Sequence, residues 1–196
     1  MTGLNEASLI KALRAVTRKA HEHLDASIRA AAAFDTLAGY GRFATLQYLF
    51  HRDIDALYDD PALPAVLPDL AGRRRLNLIA ADLQDLGLDI PEVDDPPAFA
   101  AGISADMPKA LGWLYVAEGS NLGTAVLRKE AAKLGLSDNH GARHLAPAPE
   151  GPAAKWRAFT EAVGAIDLTA EDRQSATIGA QAAFARVQSL VDARLA

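Results

Sequence analysis

The 196-residue chain contains no cysteine. Disulfides, zinc–thiolate sites, iron–sulfur clusters and thiolate-ligated metal centres are therefore excluded, and any metal chemistry falls to five histidines and the carboxylates. β-Branched residues are scarce: valine and isoleucine total 16, against 42 alanines and 26 leucines. That balance disfavours strands and favours helices, so the expected fold class is all-α. No apolar run approaches ~18 residues, which excludes a membrane-spanning helix. Positive charge is the minority, with 20 Lys and Arg against 25 Asp and Glu, a net charge of −5. Duplex nucleic acid is a poor partner for such a surface. Met1 to Glu6 is polar and leads straight into an amphipathic pattern without a signal peptide, so the expected location is the cytoplasm. What is present in quantity is apolar: half the residues are hydrophobic. That is enough for one core, and residues 1–196 are expected to form a single domain with a flexible start over 1–5.

Periodicity and breakers divide the chain into about six helices. The first is expected over Glu6 to Ala33, with Gly39 and Gly41 at the next junction and a second apolar-periodic stretch from Phe43 to Leu57. Asp59 to Pro68 carries three prolines and reads as a loop. A third helix should start near Leu70 and stop at Gly87. Pro108 suits the first residue of a long helix through Trp113 towards Lys133, with Gly135 as its stop. His140 to Pro152 reads as a loop. Helices from about Pro152 to Ala165 and Thr169 to Leu195 close the chain, the latter announced by the Thr169 and Asp172 spacing of a capped start.

On the first helix Leu9, Leu13, Val16, Ala20, Leu24 and Ile28 form an apolar stripe. His21, eight after Leu13 and seven before Ile28, is assigned to that stripe and expected to point inward. His23 lies about 200° from it, beside Lys19 and Glu22, and is expected in solvent, so the two cannot chelate one metal. Asp25, four after His21, is within reach of the ring's second nitrogen, as suits a metal-bound histidine. A partly buried histidine bonded to its neighbours fits the same spacing.

The long helix carries Gly112, Gly119 and Gly123, spaced seven and four apart and so on one face. Each costs about 1 kcal/mol relative to alanine inside a helix, so a close approach must compensate. Another helix on the bare backbone is one candidate. A flat ligand is the other, and the polar neighbours Tyr115, Ser120, Asn121 and Thr124 suit it better than a packing seam. Glycine also permits a kink that exposes backbone amides.

These residues together resemble a known family. The run Leu13-Arg-Ala-Val-Thr17-Arg-Lys-Ala-His21-Glu-His-Leu-Asp25 resembles the proximal helix of haem oxygenases, with a Thr four before the ligating His and an acid four after it. The run Gly112-Trp-Leu-Tyr-Val-Ala-Glu-Gly119-Ser-Asn-Leu-Gly123 resembles their kinked distal helix, above all in the bacterial, biliverdin-forming branch. The resemblance implies haem b bound as both cofactor and substrate. His21 would ligate the iron, and the Gly119–Gly123 backbone would lie on the distal face, with Ser120 among the distal groups. O₂ and an external electron donor, a ferredoxin- or flavin-type reductase, would drive hydroxylation of a meso carbon and release of biliverdin, Fe²⁺ and CO. Where many members carry Asp after the first distal glycine, this chain has Ser120. Arg14 and Tyr115 resemble positions that meet the haem propionates, which implies the IXα isomer of biliverdin. Arg29, eight after His21, is a second cation for the same groups, and Thr17 and Asp25 complete the haem-binding set. Arg73-Arg74-Arg75 and the trio Arg128, Lys129 and Lys133 are basic clusters on which an acidic donor could dock. His51, His140 and His144 receive no role. A haem-handling protein without turnover and a ligand-free scaffold remain as rivals. A di-iron bundle is disfavoured by the lack of any Glu-x-x-His pair.

Overall fold

A computed structural model describes residues 3–195, with side chains from Leu9 onward. Among the described residues the fold is seven α-helices joined by loops and 3-10 turns: α1 (Gly3–Ala30), α2 (Leu37–Ile54), α3 (Leu76–Asp85), α4 (Met107–Ser120), α5 (Thr124–Lys133), α6 (Pro152–Gly164) and α7 (Ala170–Arg194). β-Type pairing among the described residues is confined to isolated bridges from Ser137. The all-α expectation holds. The flexible start expected over 1–5 lies outside the described residues for 1–2, and residues 3–5 already belong to α1.

The ends follow from local chemistry. Thr169 and Asp172 form a reciprocal capping box that starts α7. Asp106 caps α4 by accepting from the Lys109 amide at 3.2 Å, with Pro108 just inside. Gly87 and Gly135 take φ of +69° and +83° immediately beyond α3 and α5, a conformation that stops a helix and suits glycine. Two expectations need correction. Gly39 and Gly41 lie inside α2, because Thr36 starts that helix by accepting from the Gly39 amide at 3.0 Å. The third helix does not start at Leu70: residues Leu70–Arg73 form a 3-10 turn, extended Arg74 interrupts, and α3 begins at Leu76.

α7 is the central strut, packed against α4, α1 and α2. Its crossing with α4 is backbone on backbone. A Cβ added at Gly112 would stand 2.6 Å from the Ala180 amide nitrogen, and one at Gly179 would stand 3.1 Å from Cα of Lys109. The core around this crossing includes Leu13, Tyr40, Phe43, Leu46, Leu114 and Phe159, all essentially without solvent contact. Burial of each such side chain contributes about 1.5–3 kcal/mol. Polar ties fix the loops to this frame. Asp82 of α3 accepts from the Arg143 and His144 amides at 2.9 and 3.0 Å and from His144 Nδ1 at 2.7 Å, which pins the loop between α5 and α6. No described helix is long and apolar enough to cross a membrane.

Candidate functional site

The core face of α1 is set by Leu9, Leu13 and Thr17, all buried. His21 does not continue it: its side chain is 60% exposed. The expectation that this ring points inward is therefore corrected, and the reason is helical drift. Eight residues turn a helix by about 800°, so His21 sits about 80° round from Leu13, at the edge of the buried stripe. There the ring meets Phe184 of α7 edge-on, with centroids 6.0 Å apart. Its Nδ1 lies 3.3 Å from Asp25 Oδ2, the contact expected from the spacing. Nε2 has no partner among the described residues. His23 is exposed, in keeping with its assignment to solvent.

One turn before His21, Thr17 is 4% exposed and donates to the Leu13 carbonyl at 2.7 Å. The Tyr115 side chain of α4 lies near enough to Thr17 and Arg14 for both to act on its hydroxyl. Burial raises the Tyr115 pKa, while Thr17 and Arg14 oppose the rise. Arg14, Thr17 and Tyr115 are thus brought together across two helices. Trp156 of α6 closes the group from the side, its ring 5.4 Å from that of Tyr115. Arg29 is exposed on the last turn of α1, where its charge also suits the helix C-terminus.

The long helix, expected to run as one towards Lys133, breaks where its glycines permit a kink. α4 ends at Ser120, residues Asn121–Gly123 form a 3-10 turn, and α5 resumes at Thr124. The three glycines nevertheless do different work, which the shared-face reading did not anticipate. Gly112 is a packing residue against α7. Gly119 leaves ordinary contact distance, 3.6 Å, between an added Cβ and the Trp156 ring. Gly123 is bare: a Cβ there would meet nothing within 4 Å. Leu122 and Val126 stand 46% and 65% exposed on the same side by spacing, an apolar surface that sequence reasoning passed over because each reads as ordinary helix core. Ser120 donates its hydroxyl to the Ala117 carbonyl at 2.7 Å. Asn121 faces elsewhere, lining with Glu118, Thr124, Arg73, Arg75 and Lys155 a cleft of about 220 Å³ behind the break.

The basic clusters do not survive as docking patches of three cations. Arg73 is buried against Glu118 and Asp69, and Arg74 forks onto Asp55 with distances of 2.8 and 2.6 Å. Arg75 donates to the His144 carbonyl. Arg128 pairs with Asp138, and Lys133 with Glu130. Two histidines left without a role prove to be interior groups. His144 is held by Asp82, and His51 is buried with its pKa lowered to about 3, first by burial and then by the charges of Arg75 and His144. His51 Nδ1, Tyr58 Oη, Arg73 Nε and His144 Nε2 are buried polar atoms with no hydrogen-bond partner among the described residues. No periodicity marks them, because the elements that hold them lie far apart in sequence.

An exposed imidazole with one nitrogen beside a carboxylate, and a bare glycine break with exposed leucine and valine beside it, are each suited to a flat metal-bearing macrocycle. Comparisons with known proteins agree. The Heme oxygenase family model matches residues 7–193. The heme oxygenase PigA of Pseudomonas aeruginosa is 39% identical over 180 residues, covering 92% of this chain and 89% of that protein. A heme oxygenase of Xanthomonas campestris pv. campestris is 33% identical over 121 residues, 62% of this chain and 69% of that one. Among solved structures, the NO- and CO-bound heme oxygenase of Neisseria meningitidis superposes with a TM-score of 0.88 at 38% identity, covering 95% of this chain and 92% of the other. Matched along nearly its whole length, the chain belongs to the haem oxygenase family and is of the bacterial kind.

Proposed function

We propose that this haem oxygenase holds its substrate haem between His21 and the backbone at Gly119–Gly123. The haem supplies iron, on which O₂ is reduced with electrons from outside. The protein's own part is to bind, aim and shield. His21 takes the iron through Nε2 as a neutral imidazole, because Asp25 engages the opposite nitrogen and fixes that tautomer. Gly119 and Gly123 let the distal backbone approach the macrocycle, while Leu122 and Val126 cover its apolar face. Ser120 retains acceptor capacity on its hydroxyl and stands at the break as a polar group for distal water. Arg14 and Tyr115 anchor the propionates, with Thr17 beside Tyr115 and Arg29 offering a second cation along the same helix. That anchoring favours cleavage to biliverdin IXα, with release of Fe²⁺ and CO.

The single observation that carries this reading is the pairing of an exposed, carboxylate-held His21 with a helix break whose Gly123 has open space before it. A ferredoxin- or flavin-type reductase is the proposed electron donor. With both trios of cations largely engaged in ion pairs, its docking falls to the cations of α1, which have no ion-pair partner among the described residues. Haemin addition followed by reductant under air tests the proposal. A histidine-type Soret band should appear and then decay to a biliverdin spectrum. A band that persists through repeated reduction would mark a haem-handling protein without turnover.

A further inference from the structure

The last residue before the distal glycines is a buried acid. Glu118 is 3% exposed and meets the Arg73 guanidinium, itself 1% exposed in its side chain. Arg73 reaches four residues at once, joining its own turn to α4 and α6. One arm donates to Glu118 at the end of α4; the other donates to Asp69 Oδ2 at 2.6 Å and to the Lys155 carbonyl of α6 at 3.2 Å. The guanidinium also lies over the Phe159 ring, 5.6 Å from its centroid. Phe159 stacks on Trp156 with centroids 5.8 Å apart, and Trp156 in turn lies against Gly119 and Tyr115. The contacts close a ring: Arg73, Glu118, Gly119, Trp156, Phe159 and back to Arg73.

We infer that the Arg73–Glu118 pair is a positioning device, which sets where the distal break of residues 119–123 stands relative to α6. The inference rests on the reading of Gly119 and Gly123 as the distal face. A buried ion pair is a poor source of stability, because desolvating two charges offsets most of their attraction and apolar residues of similar volume often serve as well. What it supplies is direction, since a planar guanidinium fork admits few geometries. Direction matters most at this place. The helix loses its regular hydrogen bonding two residues later, so the aim of the next amides depends on how the final turn of α4 is held. Neither Arg73 nor Glu118 touches the haem-facing side; both act through Gly119 and Trp156.

The test compares wild type with Arg73→Met/Glu118→Met and with Arg73→Lys, which keeps the charge but loses the fork. Both variants should fold, with the melting temperature close to wild type. Without haem, amide hydrogen exchange at residues 119–124 should quicken roughly tenfold in the double variant and less in Arg73→Lys. With haem, the histidine-ligated spectrum should persist while the midpoint pH of the ferric acid–alkaline transition moves by roughly half a unit or more. Unchanged exchange and an unchanged midpoint in either folded variant would overturn the inference. So would a double variant that cannot fold beside an Arg73→Lys protein that behaves as wild type, because the pair would then be a source of stability alone. The exchange measurement is made without haem, so its outcome does not depend on which histidine ligates iron.

Discussion

Nδ1 of His21 lies 3.3 Å from Oδ2 of Asp25, one helical turn further along α1. The contact leaves Nε2 directed away from the carboxylate and available to iron. Both side chains are well exposed, at 60% and 46%, so water screens the interaction and tempers its effect. Asp25→Asn should therefore weaken haem affinity by only a few-fold to about tenfold, the low end for a carboxylate behind a metal-bound histidine. It should also lower the iron–histidine stretching frequency of the ferrous complex in resonance Raman spectra. An unchanged frequency would show that Asp25 does not tune the ligand.

The glycines should separate cleanly by substitution. Gly112→Val places atoms into the α7 backbone at Ala180 and should lower stability by about 3 kcal/mol or more, measured by chemical denaturation. At Gly123 an added Cβ has open space before it, so Gly123→Val should leave the melting temperature nearly unchanged while haem titration shows weaker binding. If Gly123→Val binds haem as wild type does, the open face at the break is not where haem lies.

That contrast also marks how far the sequence could be read. Helix ends with local causes were legible: the Thr169–Asp172 box, Pro152 at the head of α6, and Gly87 and Gly135 past their helices. The break in the long helix was only half legible: its glycines permitted a kink, but the stretch from Pro108 towards Lys133 was read as one helix. Which glycine did what was not legible, because Gly112 owes its role to Gly179, sixty-seven residues away. His21 was found by its neighbours Thr17 and Asp25, yet its depth was misjudged, since an eight-residue step drifts off the stripe. Arg73 read as part of a basic docking cluster because Glu118, its partner across 45 residues, carries no periodic signal.

Product chemistry tests the propionate anchors. Arg14 and Tyr115 meet around Thr17, so wild type should yield mainly biliverdin IXα on chromatographic separation. Arg14→Ala with Tyr115→Phe should broaden the isomer distribution, whereas Arg29→Ala alone should leave it nearly unchanged. A β/δ mixture from wild type would overturn the anchoring.

The buried His51 should shape acid stability. Its folded pKa of about 3 lies below the ordinary value of 6.5. Between these limits the unfolded chain binds a proton that the folded chain refuses. Stability from this group is thus full above pH 6.5 and falls as the pH drops through the window, by up to about 1.4 kcal/mol per unit. Asp82, held below the usual carboxylate range by His144 and the loop amides against the opposing effect of burial, adds to the loss at lower pH. His51→Gln should flatten the dependence of melting temperature on pH between 6.5 and 4. An identical slope in the variant would show that His51 accepts its proton without unfolding.

The central claim is that His21, and not the neighbouring His23, carries the iron. Optical and electron paramagnetic resonance spectra of the haem complexes of His21→Ala and His23→Ala, recorded side by side, test it most directly. The account predicts that His23→Ala keeps the wild-type histidine-ligated spectrum, while His21→Ala loses it and regains a five-coordinate signature on addition of imidazole. A normal histidine-ligated spectrum from His21→Ala without added imidazole would contradict it.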